Sequence, residues 1–471
     1  MYKAYITALT NVRPHPNADR LQLADVFGTT VCVSLDYYEG QVGLYLPSDG
    51  QISVEFGEKN NLLRKKDDAG NNIGGYIDAN KRNITAIRLR GERSDGLFLP
   101  LSCLNYCFAH GDASIELRVG DVIDGCVNGH DICTKYIPRR PDPTRAHGGN
   151  KTRKHKTPVA PLFKEHADTE QLAYNLSAFK PGDEIEITLK MHGTSQRTGY
   201  LPTLKGYKKS FLDWLFRREG KPIYDWGYVS GTRRVVLENY EGGFYGDNIF
   251  REQHSKIFEG KLWKGETVYY EVVGFTTSGA PIMGDANNKK LNDKEFIKQY
   301  GETTRFSYGC DPNPTNIVTV DPNCEYIAGV KISTAPQSDI YVYRMTMTNE
   351  DGDVVEYTPD FMRYRCEQMG VKTVPVFAKG TIPHFIMLPD SVGSPQETDA
   401  GEWVKNMAEQ FYDGPDPIGK THVREGVVVR IINRPKFCAY KHKNFSFKVL
   451  EGIVKVEAEA PDMEEAQEVT E

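Results

Sequence analysis

Short apolar runs closed by Gly, Asp or Asn recur along the chain, and such punctuation favours strands over long helices. In residues 1–135 the runs "VCVSL", "VGLYLP", "ITAIRLRG" and "GLFLPL" follow one another closely. That spacing predicts a small all-β barrel or sandwich. From about residue 160 onward the pattern mixes. "SFLDWLFRRE" and "FIKQYGE" have helical character, whereas "TVYYEVVGF", "IYVYRMTMT" and "EGVVVRII" read as strands. The expected class is α+β with mainly antiparallel sheets. Between the two regions lies "IPRRPDPTRAHGGNKTRKHKTP", basic and broken by Pro and Gly. It reads as a linker whose cations suit phosphates. The expected organisation is 1–135 barrel, 136–160 basic linker, 161–455 catalytic domain and 456–471 acidic disordered tail.

Composition narrows the class further. With 39% hydrophobic and 26% charged residues, the chain has the make-up of a soluble globular protein. It holds no apolar run of about 18 residues and no secretory leader, so no membrane partner is expected. The expected location is the cytoplasm, or a host's cytoplasm for a phage-encoded chain. The nine cysteines are scattered and odd in number, which fits reduced thiols. Within Cys103, Cys107, His110, Cys126 and Cys133, only the first pair has a zinc-like spacing, so these cysteines read as small buried residues.

The chemistry concentrates around "EIEITLKMHGTSQRTGYL", residues 184–201. Alternating Ile185, Ile187 and Leu189 make a strand that delivers Lys190 into a turn containing His192 and Gly193. A strand end holds an amine rigidly, and neighbouring cations or burial free a lysine to act as a nucleophile. Gly193 would permit a sharp turn or a close approach, and Thr194 and Ser195 offer hydroxyls to a phosphate or sugar. Glu271 lies inside the apolar run "TVYYEVVGF", and Glu425 opens "EGVVVRII". Two strand-borne carboxylates suit a hard divalent cation, Mg²⁺ or Mn²⁺. Lys441 and Lys443 lie two apart on one strand face, an arrangement that a polyanion such as a triphosphate would explain.

Taken in order, "KMHG", "YYEVVG", "IYVYRM", "EGVVVR" and "KHK" resemble the five hallmark elements of the covalent nucleotidyltransferases, the ATP-dependent ligases and capping enzymes. The usual first element is Lys-x-Asp-Gly. His192 in place of Asp is the form found in a branch of RNA ligases, and it leaves open the contact that Asp makes. The resemblance spans about 180–452, with spacings longer than in compact members. It implies Lys190 as the nucleophile. His192, Gly193, Glu271, Tyr343, Glu425, Lys441 and Lys443 would bind ATP or AMP, and Glu271 and Glu425 would also hold the metal. "VSGTRRVVL" resembles the strand bearing an arginine for a 5′-phosphate, with Arg233 preferred to Arg234. For the aromatic that stacks on the base, Tyr343 is preferred to Tyr341, cross-strand packing being the alternative for either.

"HPNADRL" and "IRLRGERSDGLFLPLSCL" resemble parts of an N-terminal OB-type domain. Asn17 and Asp19 could equally cap the turn into the next strand. A barrel ahead of the nucleotidyltransferase is the order of the Naegleria- and Deinococcus-type RNA ligases. The implied activity is that of an ATP-dependent RNA ligase joining 3′-OH and 5′-phosphate ends, at a nick in a duplex, as a monomer. Alternatives are a non-catalytic RNA-binding protein with a degenerate domain, a GTP-using capping-type enzyme and a DNA ligase.

Overall fold

The computed structural model describes residues 2–48, 50–66, 72–136, 157–167, 169–211, 213, 220–240, 245, 248–313, 326–327, 330–331, 335–386 and 396–451. Nearly all of the basic linker, the acidic tail and most of "SFLDWLFRRE" lie outside the described residues. The chain forms two compact units. One comprises Met1–Gly149, Lys289–Lys294 and Lys448–Glu471; the other comprises Asn150–Asn288 and Glu295–Phe447.

The first unit is built from short antiparallel strands. One sheet has the order Leu97–Pro100, Val42–Leu46, Ala4–Ala8, Val122–Ile123, and a meander runs through Thr10–Pro14, Leu21–Val26 and Thr29–Ser34. Ile6, Leu44, Leu46, Phe56, Leu104 and Ile123 fill its core, together with Cys103, Cys107 and Cys133. Cys126, expected to be buried, is exposed. The motif "HPNADRL" has a role the sequence did not suggest. His15 Nδ1 accepts the Asn17 N–H at 3.1 Å, which leaves Nε2 to donate to the Leu89 carbonyl at 3.2 Å. Asn17 Nδ2 donates to the Arg90 carbonyl at 3.0 Å. Asn17 therefore ties the first turn to the Ile87–Leu89/Glu92–Ser94 hairpin. That hairpin turns through Arg90 and Gly91, both at positive φ (42° and 96°), the geometry of a two-residue turn matched to strand twist.

Two mainly antiparallel sheets organise the second unit. The five-stranded sheet has the order Glu170–Gln171, Cys438–Lys443, Gly426–Ile431, Glu184–Leu189, Val376–Thr381. Ile185 and Ile187 point with Val427, Val429 and Ile431 into a core that includes Val404 and Ala408 of the helix Ala400–Glu409. The larger sheet carries the long strands Thr194–Lys208, Lys221–Gly231, Glu266–Gly274 and Ser338–Thr348. Val268, Tyr270, Val272, Ile340 and Val342 pack with Phe250 of helix Ile249–Lys256 and Met362 of helix Pro359–Met369. The second helix starts cleanly because the Thr358 side chain accepts the Phe361 N–H and Pro359 sits in its first turn. Antiparallel pairing dominates, as expected for an α+β chain, and "FIKQYGE" is helical at Lys294–Tyr300. Among the described residues, no helix is long and apolar enough to cross a membrane.

Candidate active site

Lys190 stands where the chain leaves one sheet for the other. The strand Glu184–Leu189 belongs to the five-stranded sheet, and the next strand, starting at Thr194, belongs to the larger one. The "KMHG" crossover is thus pinned at both ends. The Lys190 N–H donates to the Gly426 carbonyl at 3.0 Å, and the His192 N–H donates to the Tyr308 hydroxyl at 2.8 Å. Gly193 has no positive φ; its requirement is room. A Cβ there would lie 2.4 Å from the Val272 carbonyl oxygen and 2.8 Å from Glu271 Cγ. The close approach is to the neighbouring strand, the one that carries Glu271.

Glu425 is the hub. Its Oε1 lies 2.5 Å from Lys190 Nζ and 2.9 Å from Lys443 Nζ, and only 2% of its side chain is exposed. Burial would raise this carboxyl, but Lys190 and Lys443, with a contribution from His192, hold it well below the usual carboxylate range. His192 Nδ1 is 3.6 Å from Oε2, beyond hydrogen-bonding reach, and Oε2 has no hydrogen-bond partner among the described residues. The His192 ring is boxed edge-on by Phe306 and Phe447, with centroids 4.6 and 4.7 Å away.

Glu271 is the one residue of Glu266–Gly274 that is only partly buried. Burial of its carboxyl, opposed by Lys190 and reinforced by Glu425, pushes it up to about 7. Arg233 acts electrostatically on both Glu271 and Tyr343. It sits in the exposed turn between Lys221–Gly231 and Val236–Leu237 and not on a strand, contrary to the expectation. Tyr343 lies at the irregularity where Tyr269 pairs with Arg344 but Tyr270 pairs with Val342, so it is the extra residue of a bulge. Its hydroxyl is 2.9 Å from Ser195 Oγ, and burial, helped by Glu271, raises it. Tyr341 is buried and bonds Asp339 at 3.3 Å.

The structure brings Lys190, His192, Gly193, Glu271, Glu425 and Lys443 together. Lys441 shares the strand Cys438–Lys443, but only Lys443 of the two reaches Glu425 among the described residues. Thr194 and Ser195, expected to face a ligand, have protein partners. Arg251 Nη2 donates to Thr194 Oγ1 at 2.5 Å and Nη1 to the Ser195 carbonyl at 3.2 Å, while Ser195 Oγ meets Tyr343. Arg251 and Tyr308 were missed in the sequence because neither lies in a motif or a periodic run. A cavity of about 540 Å³ lined by Thr198, Tyr228, Ser230, Tyr240 and Glu252 is lined by none of these site residues.

The donor set fits a divalent cation. Glu425 presents an orphaned buried oxygen, and burial together with Glu425 disfavours the charged form of Glu271 despite Lys190, Arg233 and the Gly193 N–H. A hard cation ligated by oxygen would satisfy both.

No protein-family model matches the sequence, and no curated protein is significantly similar to it. Solved structures of the Naegleria gruberi RNA ligase do match. The ligase with PPi aligns over 94% of this chain and 97% of its own, at 16% identity and a TM-score of 0.54. Two of its mutants, one with ATP and Mn and one with AMP and Mn, each cover 95% of this chain and 98% of their own at 16% identity, with TM-scores of 0.53 and 0.51. The chain has an RNA ligase-like fold.

Proposed function

We propose that the protein is an ATP-dependent RNA ligase that joins 3′-OH and 5′-phosphate ends through a covalent lysyl–AMP. One observation carries the reading: Lys190 and Lys443 converge on a single buried Glu425 oxygen at the crossover between two sheets. In the first step the Lys190 amine, having lost its proton, attacks the α-phosphorus of ATP. The N–P bond forms, the P–O bond to pyrophosphate breaks, and Lys443 offsets charge on the phosphates. Lys441, on the same strand, extends that positive face. Glu271 and Glu425 would hold Mg²⁺ or Mn²⁺, which supplies charge stabilisation at the phosphates. In the second step AMP passes to the RNA 5′-phosphate, which the fork of Arg233 suits. In the third step a 3′-hydroxyl attacks that phosphate and AMP leaves. Tyr343 supplies the ring for the base, with His192 and Gly193 lining the nucleotide's approach.

The ligands carried by the Naegleria gruberi structures, PPi, AMP with Mn and ATP with Mn, support a nucleotide and a divalent metal here. The first unit, read as an OB-type barrel, and the basic linker would hold RNA. The test is labelling by α-labelled ATP with metal. The parent should label and Lys190→Ala should not; an alanine variant that labels as well as the parent removes Lys190 as nucleophile. Competition with unlabelled GTP separates a capping-type enzyme, and comparison of RNA with all-DNA nicks separates a DNA ligase.

A further inference from the structure

Behind the lysine crossover lies a second layer that no sequence motif announces. Tyr308 is 3% exposed, and its hydroxyl accepts the His192 N–H at 2.8 Å. His192 is two residues from Lys190, in a stretch between sheets where the backbone has left one ladder and not yet joined the other. Tyr308 itself is held at φ 50°, a left-handed conformation that a bulky residue keeps only where its surroundings impose it. Those surroundings are visible. Its ring meets the buried His422 edge-on at 4.6 Å, and Phe306, two residues earlier, boxes His192. The 416–422 loop, which carries His422, also presses in on the Tyr308 backbone. Asp416 Oδ2 accepts the Ile418 and Gly419 N–H groups at 3.0 and 2.6 Å, and Gly419 lies so close that a Cβ there would sit 3.0 Å from the Gly309 nitrogen and 3.2 Å from the Tyr308 backbone.

We propose that Tyr308 is a positioning residue for the nucleophile: its hydroxyl fixes the His192 amide and thereby the line of approach of the Lys190 amine. The proposal rests on the ligase reading above. Tyr308 touches no reacting atom, so its effect should be confined to the step in which Lys190 attacks. Sealing of RNA that already carries a 5′-adenylate requires no such attack.

The test is Tyr308→Phe in the full chain, which keeps the ring against His422 and removes only the acceptor. Labelling by α-labelled ATP should slow at least about tenfold, within the about 100-fold that a 1 Å misplacement can cost. The KM for ATP and the rate of sealing pre-adenylylated RNA should hold. Gly419→Ala, which leaves the hydroxyl present but crowds Tyr308, should reproduce that split, and it decides the matter if Tyr308→Phe fails to fold. Parental labelling by either folded variant overturns the proposal. So does equal loss of labelling and of pre-adenylylated sealing, which would mark a merely structural role. Failure of the parent to label brings down the ligase reading instead.

Discussion

Gly193 shows how much a missing side chain can decide. The 2.4 Å between a would-be Cβ and the Val272 carbonyl leaves no room for a methyl group, and that oxygen belongs to a strand backbone that resists a shift. Gly193→Ala should cost about 1–3 kcal/mol of stability through overpacking. It should also slow lysyl labelling at least about tenfold, because the displacement falls on the crossover that carries Lys190. Thermal unfolding and the labelling rate check the two effects separately. His254 offers a second residue-level prediction. Burial, with Arg251 adding and Asp339 opposing, keeps its imidazole down at about 4 against an ordinary 6.5. Its Nε2 lies 2.8 Å from Ser338 Oγ. Above 6.5 the ring is neutral in both folded and unfolded chains, and its contribution to stability is complete. As pH falls below 6.5 the unfolded chain takes up the proton first, so stability drops until about 4. The slope from this group approaches about 1.4 kcal/mol per pH unit. His254→Gln should flatten denaturation midpoints across that window; an unchanged profile would assign the acid sensitivity to other groups.

At the scale of elements, the strand that carries Glu271 is anchored at its first residue. Glu266 is fully buried, and its two oxygens take Arg365 Nε and Nη2 at 2.8 Å each, the Tyr357 hydroxyl at 3.0 Å and the Trp263 N–H at 2.7 Å. This bidentate pair joins helix Pro359–Met369 to the larger sheet, and every Glu266 oxygen is satisfied. Arg365→Ala would strand a buried carboxylate and should cost about 3–5 kcal/mol, read by denaturant titration. The strands themselves were legible in the sequence. Ile185 and Ile187 alternate toward one core, and the apolar runs around Glu271 and Glu425 stand out from their flanks, so the charged exceptions in them could be picked out. Tyr308 and Arg251 could not be. Each reaches the crossover from a distant segment, through one side chain, with no periodicity to mark it. Arg233 was legible as a residue but not as a turn, because "VSGTRRVVL" carries apolar residues on both sides of the reversal. Lys441 and Lys443 were indistinguishable by pattern, and only the register Gly426↔Lys443 sets the second beside Glu425.

At the scale of the whole molecule, the candidate site is assembled from residues spread between Lys190 and Lys443, all of which belong to the second unit. The first unit supplies none of Lys190, Glu271, Glu425, Lys443 or Tyr308. On the proposed ligase reading, covalent capture of a nucleotide would depend on one unit, whereas joining two RNA ends would also depend on holding a long polyanion, which demands many phosphate contacts. A chain beginning at residue 136 should keep self-labelling more fully than it keeps nick sealing. Lys289–Lys294 and Lys448–Glu471 cluster with the first unit, so the shortened chain retains segments that have lost their neighbours. Some loss of stability is expected, and both rates must be normalised to the folded fraction. A larger loss of sealing than of labelling, steeper still as salt rises, assigns RNA holding to the first unit. Equal losses at every salt concentration would mean that residues 1–135 contribute only to folding.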